Sequence, residues 1–217
     1  MNIKGIIFDV DGVIFDSEKL HRKAWKQVFG KRGIFLKDKK SGVGYSDKEF
    51  LKELKEKGVI PQEIDIQEIQ DEKLDVLVSL AERKVDFFPN VQELIVHLKK
   101  DYLLCVASNS DIKFISKILK NANLIPYFLS ILTVNDIEKP KPAPDIYLLA
   151  AEKMKLEPQE CIVIEDSTVG IEAAKRAGMK CIAISHTLPK DRLKEADLLL
   201  EQVSVERIAD FIKKQDG

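Results

Sequence analysis

Ile3-Lys4-Gly5-Ile6-Ile7-Phe8-Asp9-Val10-Asp11-Gly12 is a short, mainly apolar run that ends abruptly in two carboxylates and a glycine. Such a run is too short for a helix and lacks the polar alternation of a half-exposed strand, so it reads as a strand buried on both faces. The same pattern recurs at Tyr102 to Ala107, Ile131 to Val134, Cys161 to Ile164, Cys181 to Ile184 and Leu198 to Leu200. Stretches of helical period separate most of these runs, such as Val91, Leu94, Ile95 and Leu98, or Ile112, Ile115, Ile118 and Leu119. Strands alternating with helices pair in parallel, and the expected fold is a doubly wound α/β sheet.

Between about Asp16 and Asp86 the character changes, because helical stripes follow one another with no strand between them. Leu20, Ala24, Trp25, Val28 and Phe29 make one stripe, Phe50, Leu51 and Leu54 a second, and Ile66, Ile69, Leu77 and Leu80 a third. The expectation is an all-helical insertion over residues 16–86, with the α/β core made of 1–15 and 87–217. The chain returns at Phe87-Phe88-Pro89-Asn90, where Pro89 blocks helix continuation and Asn90 can cap the next helix.

Composition narrows the function classes. The 217 residues carry Lys+Arg 35 against Asp+Glu 36, a net charge of -1, with no basic excess for nucleic-acid binding. A hydrophobic fraction of 45% excludes intrinsic disorder. No apolar run approaches the roughly 20 residues of a membrane span, and Met1 leads directly into the first strand, so a soluble, cytoplasmic and monomeric protein is expected. Cys105, Cys161 and Cys181 each sit in an apolar run without metal-ligand spacing and read as buried reduced thiols. The Lys37-Asp38-Lys39-Lys40 run reads as a solvated loop.

In open α/β sheets ligands bind at the carboxyl ends of the strands. There the sequence offers Asp9 and Asp11, then Ala107-Ser108-Asn109-Ser110, then Lys139-Pro140-Lys141-Pro142-Ala143-Pro144-Asp145, then Glu165-Asp166-Ser167. Each alone has a plain structural reading: turn formers before Gly12, helix caps at Ser108 to Asp111 and at Asp166 or Ser167, and a stiff proline-rich linker. Their coincidence on one sheet edge has none, and carboxylate clusters on adjacent strand ends repel unless a cation sits between them.

In the order Asp9-Val10-Asp11-Gly12-Val13, Ser108-Asn109, Lys141-Pro142-Ala143-Pro144-Asp145 and Glu165-Asp166-Ser167, the sequence resembles the haloacid dehalogenase superfamily of phosphotransferases. The resemblance is to the branch with a helical cap after the first motif, which includes phosphoglycolate phosphatases and β-phosphoglucomutases. It implies that Asp9 attacks phosphorus and becomes an aspartyl phosphate, and that Asp11 serves as general acid and base. It implies Mg²⁺ held by Asp9, the Asp11 carbonyl and Asp166, with Glu165 binding directly or through water. Ser108 and Asn109 would hold phosphoryl oxygens, and Lys141, which fits the motif register better than Lys139, would neutralise charge.

An acid-base Asp two residues after the nucleophile favours a phosphate ester over a dehalogenase or phosphonatase substrate. The expected activity is a Mg²⁺-dependent phosphatase acting on a small phosphorylated metabolite, either a sugar phosphate or a phosphoglycolate-like ester. The alternative is a β-phosphoglucomutase; a phospho-accepting receiver module is disfavoured by the helical insertion. Substrate selectivity is expected from His21 and from the loop Ser41-Gly42-Val43-Gly44-Tyr45-Ser46-Asp47. Asp47 stands where some mutases use a cation, with Lys48 adjacent. His97 reads as structural within an apolar helix stripe, and His186 lies in a loop with no evident partner. Gly42-Val43-Gly44 fails as a dinucleotide fingerprint, since Asp occupies position 47 and no strand precedes it. Asp9-x-Asp11-Gly12 likewise lacks the glycine position and terminal Glu of a calcium loop.

Overall fold

The computed structural model describes residues 2–36, 43–82 and 85–215. β1 (Gly5–Phe8) lies at the centre of a six-stranded, wholly parallel sheet. β2 (Leu103–Ala107) and β4 (Cys161–Glu165) flank it, in the register Ile7↔Cys105 and Ile7↔Val163. β3 (Ser130–Leu132), β5 (Lys180–Ile184) and β6 (Leu198–Leu200) complete the order β3-β2-β1-β4-β5-β6. The order reverses direction between β1 and β4, so the connections leaving their carboxyl ends diverge and open a crevice there.

Each predicted apolar run forms a strand because helices cover both faces. Successive side chains alternate between faces. Ile6 and Phe8 therefore join one core with residues of α4 (Val91–Leu98), α5 (Ile112–Asn121) and α8 (Val205–Gln215). Ile7, Cys105 and Val163 join another with α6 (Asp145–Met154) and α7 (Thr168–Arg176). All three cysteines are buried and free; burial pushes the Cys105 thiol up to about 11 and that of Cys161 up to about 12.

Between β1 and α4 the chain forms α1 (Glu18–Gly30), α2 (Asp47–Glu56) and α3 (Ile66–Leu80). Trp25 stacks on Phe29 (4.8 Å between centroids) and meets Phe50 edge-on, within an apolar cluster that also holds Val28, Leu51, Leu54, Ile60 and Ile69. Two chain passages connect these helices to the sheet. The Asp16 amide donates to the Asp86 carbonyl (2.9 Å) and the Phe88 amide to that of Ile14 (3.2 Å), while the rings of Phe15 and Phe87 pack at 4.7 Å. The end of α3 also reaches the sheet-side core, where Leu77 and Ala81 are buried and Asn121 Nδ2 donates to the Ala81 carbonyl.

Asn90 differs from expectation in one respect. It sits before α4 in the left-handed region (φ 66), which its short side chain tolerates, but it makes no side-chain cap. Its Nδ2 donates instead to the Val203 carbonyl at 2.9 Å, tying the entry of α4 to the entry of α8. No described helix is long and apolar enough to cross a membrane.

Candidate active site

Asp9 extends the β1 ladder, its amide donating to the Ile164 carbonyl at 3.0 Å. The chain then turns sharply: the amides of Ile14 and Phe15 both donate to the Val10 carbonyl (2.9 and 3.1 Å). Gly12 makes this turn with φ 82, and a Cβ there would come within 1.9 Å of Asp166 Oδ2 and 2.5 Å of Thr187 Oγ1. Only glycine meets both the backbone and the space requirement. The turn carries Asp11 back over the strand end that bears Asp9.

Lys141 lies beneath Asp9 with its side chain 1% exposed. Its ammonium has three protons and spends them on Asp9 Oδ1 (2.6 Å), Glu165 Oε1 (2.7 Å) and the Ala107 carbonyl (3.0 Å). The neighbouring carboxylates raise its pKa against the effect of burial. Lys139, the competing candidate, is exposed.

Asp9, Glu165 and Asp166 each bring one oxygen within 4.8 Å of the others. Burial, reinforced by like charge, pushes the Asp9 and Asp166 carboxyls well above the usual range, Lys141 opposing this at Asp9. Asp166 Oδ2 is buried without a hydrogen-bond partner. An orphaned carboxylate oxygen amid crowded acids fits a hard divalent cation.

Glu165 is different. Burial would raise it, but Lys141 draws it down. Oε1 also accepts from Tyr147 Oη (2.8 Å), and Oε2 accepts from the amides of Asp166 and Ser167 and from Ser167 Oγ (2.9, 3.0 and 2.9 Å). Its lone pairs are taken up by protein donors, and a Cβ on Gly170 would fall 1.8 Å from Oε1. Glu165 is therefore the counter-ion of Lys141 as well as a member of the three-carboxylate group.

The Asp11 carboxylate turns away from that cluster. Oδ1 accepts from Ser17 Oγ and from His21 Nε2 (3.2 Å); Oδ2 accepts from Ser110 Oγ (2.6 Å) and, at 3.4 Å, Ser108 Oγ. Burial works to raise this carboxyl, but His21 and the hydroxyl donors hold it well below the usual range. Ser110, offered by the sequence at the end of β2 but given no role there, is thus a closer partner of Asp11 than Ser108.

His21 is held from behind. Lys73, its side chain 1% exposed, donates to His21 Nδ1 (2.9 Å) and to both Asp47 oxygens (2.9 and 2.8 Å). An ammonium accepts no hydrogen bond, so Nδ1 must be the acceptor and Nε2 carries the proton directed at Asp11. Sequence reasoning missed Lys73, though a signal exists: it stands midway between buried Ile69 and Leu77, four residues from each, in the stripe assigned to the buried face.

Several expected contacts resolve differently. Asn109 is buried beside the site, but Nδ2 donates to the Gly44 and Lys141 carbonyls (2.9 and 3.3 Å) and Oδ1 accepts from the Lys141 amide (3.1 Å), so its amide splices three segments and leaves no side-chain donor for phosphate. Ser46 is buried and caps α2 through the Glu49 amide, off the cavity lining. Gly44, Tyr45 and Asp47 do line the cavity, as does His21. Lys48 is exposed outside it. His97 is exposed, and His186 has partners after all: Nδ1 donates to the Gly12 carbonyl (3.0 Å) and its ring stacks on Phe88 at 3.7 Å. Ser41, Gly42 and the Lys37 to Lys40 run lie outside the described residues.

His21, Gly44, Tyr45 and Asp47 face Asp9, Asp11, Ser108 and Asp166 across a cavity open to solvent, between the strand ends and the helices α1 and α2. Over residues 6–184 the chain matches the family described as haloacid dehalogenase-like hydrolase. It is 30% identical over 211 residues to β-phosphoglucomutase of Bacillus subtilis (strain 168), covering 93% of this chain and 91% of that one. To fructose-1-phosphate phosphatase YqaB of Escherichia coli (strain K12) it is 29% identical over 181 residues, covering 83% and 95%. The crystal structure of β-phosphoglucomutase from Clostridium difficile superposes with a TM-score of 0.86 at 28% identity, covering 98% of each chain. With its strand order, its four motifs gathered on one sheet edge and a family match across most of its length, the chain belongs to the haloacid dehalogenase-like hydrolases.

Proposed function

We propose that the chain is a Mg²⁺-dependent phosphatase that moves the phosphoryl group of a small metabolite ester first to Asp9 and then to water. One observation carries the reading: two carboxylates two residues apart stand in opposite environments. Asp9 belongs to the crowded acidic cluster over Lys141, whereas Asp11 is turned out of it into a ring of hydroxyl and imidazole donors. Divergent surroundings for paired acids are the mark of divided chemical roles.

In this reading Asp9 is the nucleophile and Lys141 holds it in place while offsetting charge that gathers during transfer. Asp11 gives a proton to the leaving alkoxide and later takes one from the attacking water, with His21 favouring the ionised form that the second step needs. Asp9, Asp166 and the Asp11 carbonyl would hold Mg²⁺, which when bound lets carboxylate and phosphate approach and polarises the phosphoryl oxygens. Ser108 and backbone amides of the β2–α5 turn would orient the phosphate. The helices α1 to α3, within residues 16–86, would serve as a cap that limits water access.

Phosphate release is favoured over mutase activity by the pairing of Lys73 with Asp47, which neutralises one buried cation of the insertion and leaves Arg22 as the described insertion cation on the cavity wall. The test is hydrolysis of p-nitrophenyl phosphate, expected to vanish in EDTA and to return with Mg²⁺. Asp9→Asn should lower turnover by about a thousandfold or more, and mass spectrometry should find a phosphorylated enzyme only where Asp9 is intact. Full activity after metal stripping, or in the Asn variant, would overturn the proposal. Rapid conversion of β-glucose 1-phosphate to glucose 6-phosphate with little inorganic phosphate would favour the mutase instead.

A further inference from the structure

Among the described residues Tyr147 is the largest fully buried side chain, and both its hydroxyl and its ring touch the charge network beneath Asp9. It stands in the first turn of α6, where its amide donates to the Pro144 carbonyl at 3.0 Å. A buried phenol needs an acceptor, and a backbone carbonyl would serve. Here Oη donates to Glu165 Oε1 (2.8 Å), the same oxygen that accepts from Lys141 Nζ (2.7 Å), while the ring centroid lies 4.8 Å from Nζ itself. An ammonium so close to an aromatic face is attracted to it.

We infer that Tyr147 is a positioning residue that keeps Lys141 on Asp9 once the phosphoryl group has been transferred, and so sets the lifetime of the phosphoenzyme. The inference rests on the phosphatase reading. Lys141 divides its protons between two carboxylates and the Ala107 carbonyl, and before transfer Asp9 and Glu165 both carry charge and compete for it. Once an Asp9 oxygen bonds phosphorus, the carboxyl half of that mixed anhydride has no charge of its own, whereas Glu165 keeps one. The balance then tips toward Glu165. The Tyr147 hydroxyl opposes this, because a second donor on Oε1 offsets part of the Glu165 charge while the ring holds the ammonium from the side. In hydrolysis the water oxygen bonds phosphorus, its proton passes to Asp11, and the electron pair of the broken P–O bond returns to Asp9 as a carboxylate. Lys141 has to be in place to meet that returning charge.

The experiment is Tyr147→Phe, which keeps the ring and removes only the hydroxyl, followed with p-nitrophenyl phosphate and Mg²⁺ by rapid quench and intact-protein mass spectrometry. Decay of the phosphoenzyme after the substrate is exhausted should slow about tenfold, the scale of a hydrogen bond to a charged group. The ratio kcat/KM, which reports events up to the transfer, should stay within about twofold of the parent. A merely structural role would lower both alike. Neutralising Glu165 removes the charge that the hydroxyl offsets, so adding Tyr147→Phe to Glu165→Gln should change the decay by no more than about twofold. Unchanged decay in Tyr147→Phe, an equal fall in kcat/KM, or the full effect persisting beside Glu165→Gln would overturn the inference while leaving the phosphatase standing. Hydrolysis by the parent protein with no phosphoenzyme at Asp9 would sink both.

Discussion

Two lysines, each 1% exposed, stand on opposite sides of the cavity, and each is hidden behind a carboxylate that lines it. Lys141 lies on the sheet side and binds Asp9 and Glu165, which project from the ends of neighbouring parallel strands. Lys73 lies on the helical side and binds Asp47 and His21, so its network joins three helices, α1, α2 and α3. The first network is fixed by strand register and the second by helix packing. The carboxylates differ too: Glu165 has no exposure to fall back on, while the Asp47 side chain is 30% exposed. A buried ion is costly to leave unpaired, and one that can rehydrate is not.

The largest effect should come from breaking the sheet-side pair. Lys141→Met leaves Asp9 and Glu165 as uncompensated buried acids and should cost about 3–5 kcal/mol, read as a lowered urea midpoint together with loss of turnover. Lys73→Met should behave differently, because methionine suits the stripe between Ile69 and Leu77 and Asp47 can turn to water. Its stability should stay within about 1 kcal/mol of the parent, while turnover falls about tenfold as the imidazole of His21 loses its fixed tautomer. Equal stability losses in the two variants would erase the distinction.

A metal titration sharpens the same contrast. Asp9 and Asp166 have raised carboxyls, so in metal-free protein their contribution to stability is complete below the ordinary value near pH 4 and is lost as pH rises through the raised folded values. Asp11 and Glu165 are lowered, so theirs is present above about pH 4 and lost as pH falls through their folded values. Mg²⁺ should therefore raise the thermal midpoint more at pH 8 than at pH 5, by a few degrees at saturation for a net gain of about 1–2 kcal/mol. A shift independent of pH would refute the assignment of Asp9 and Asp166 as ligands.

The smallest effect should come from the link between the motif turn and the returning chain. His186→Phe keeps the ring stack on Phe88 but loses the donor to the Gly12 carbonyl; His186→Asn does the reverse. Each should cost about 1 kcal/mol, measured by chemical denaturation, and the Phe variant should need more Mg²⁺ because the carbonyl turn loses its brace.

The sheet was legible because a strand buried on both faces leaves an unbroken apolar run, and six such runs became six strands. Asp9, Lys141 and Asp166 were legible because strand ends with short motifs bring their side chains to one edge whatever the loops do. Both determinants are local: a few consecutive residues carry them. The partners of Lys73 were not legible, Ser110 was offered without a role, and Asn109 was expected to hold phosphate whereas its amide is engaged with Gly44 and Lys141. Residue type reports what a side chain can do, but which partner it meets depends on how segments 26 to 97 positions apart are brought together, as Lys73 with Asp47 or Ser108 with Asp11. Its place four residues from Ile69 and from Leu77 puts Lys73 on the buried face, but the carboxylate that keeps its charge paired there comes from another helix, and only the tertiary structure supplies it.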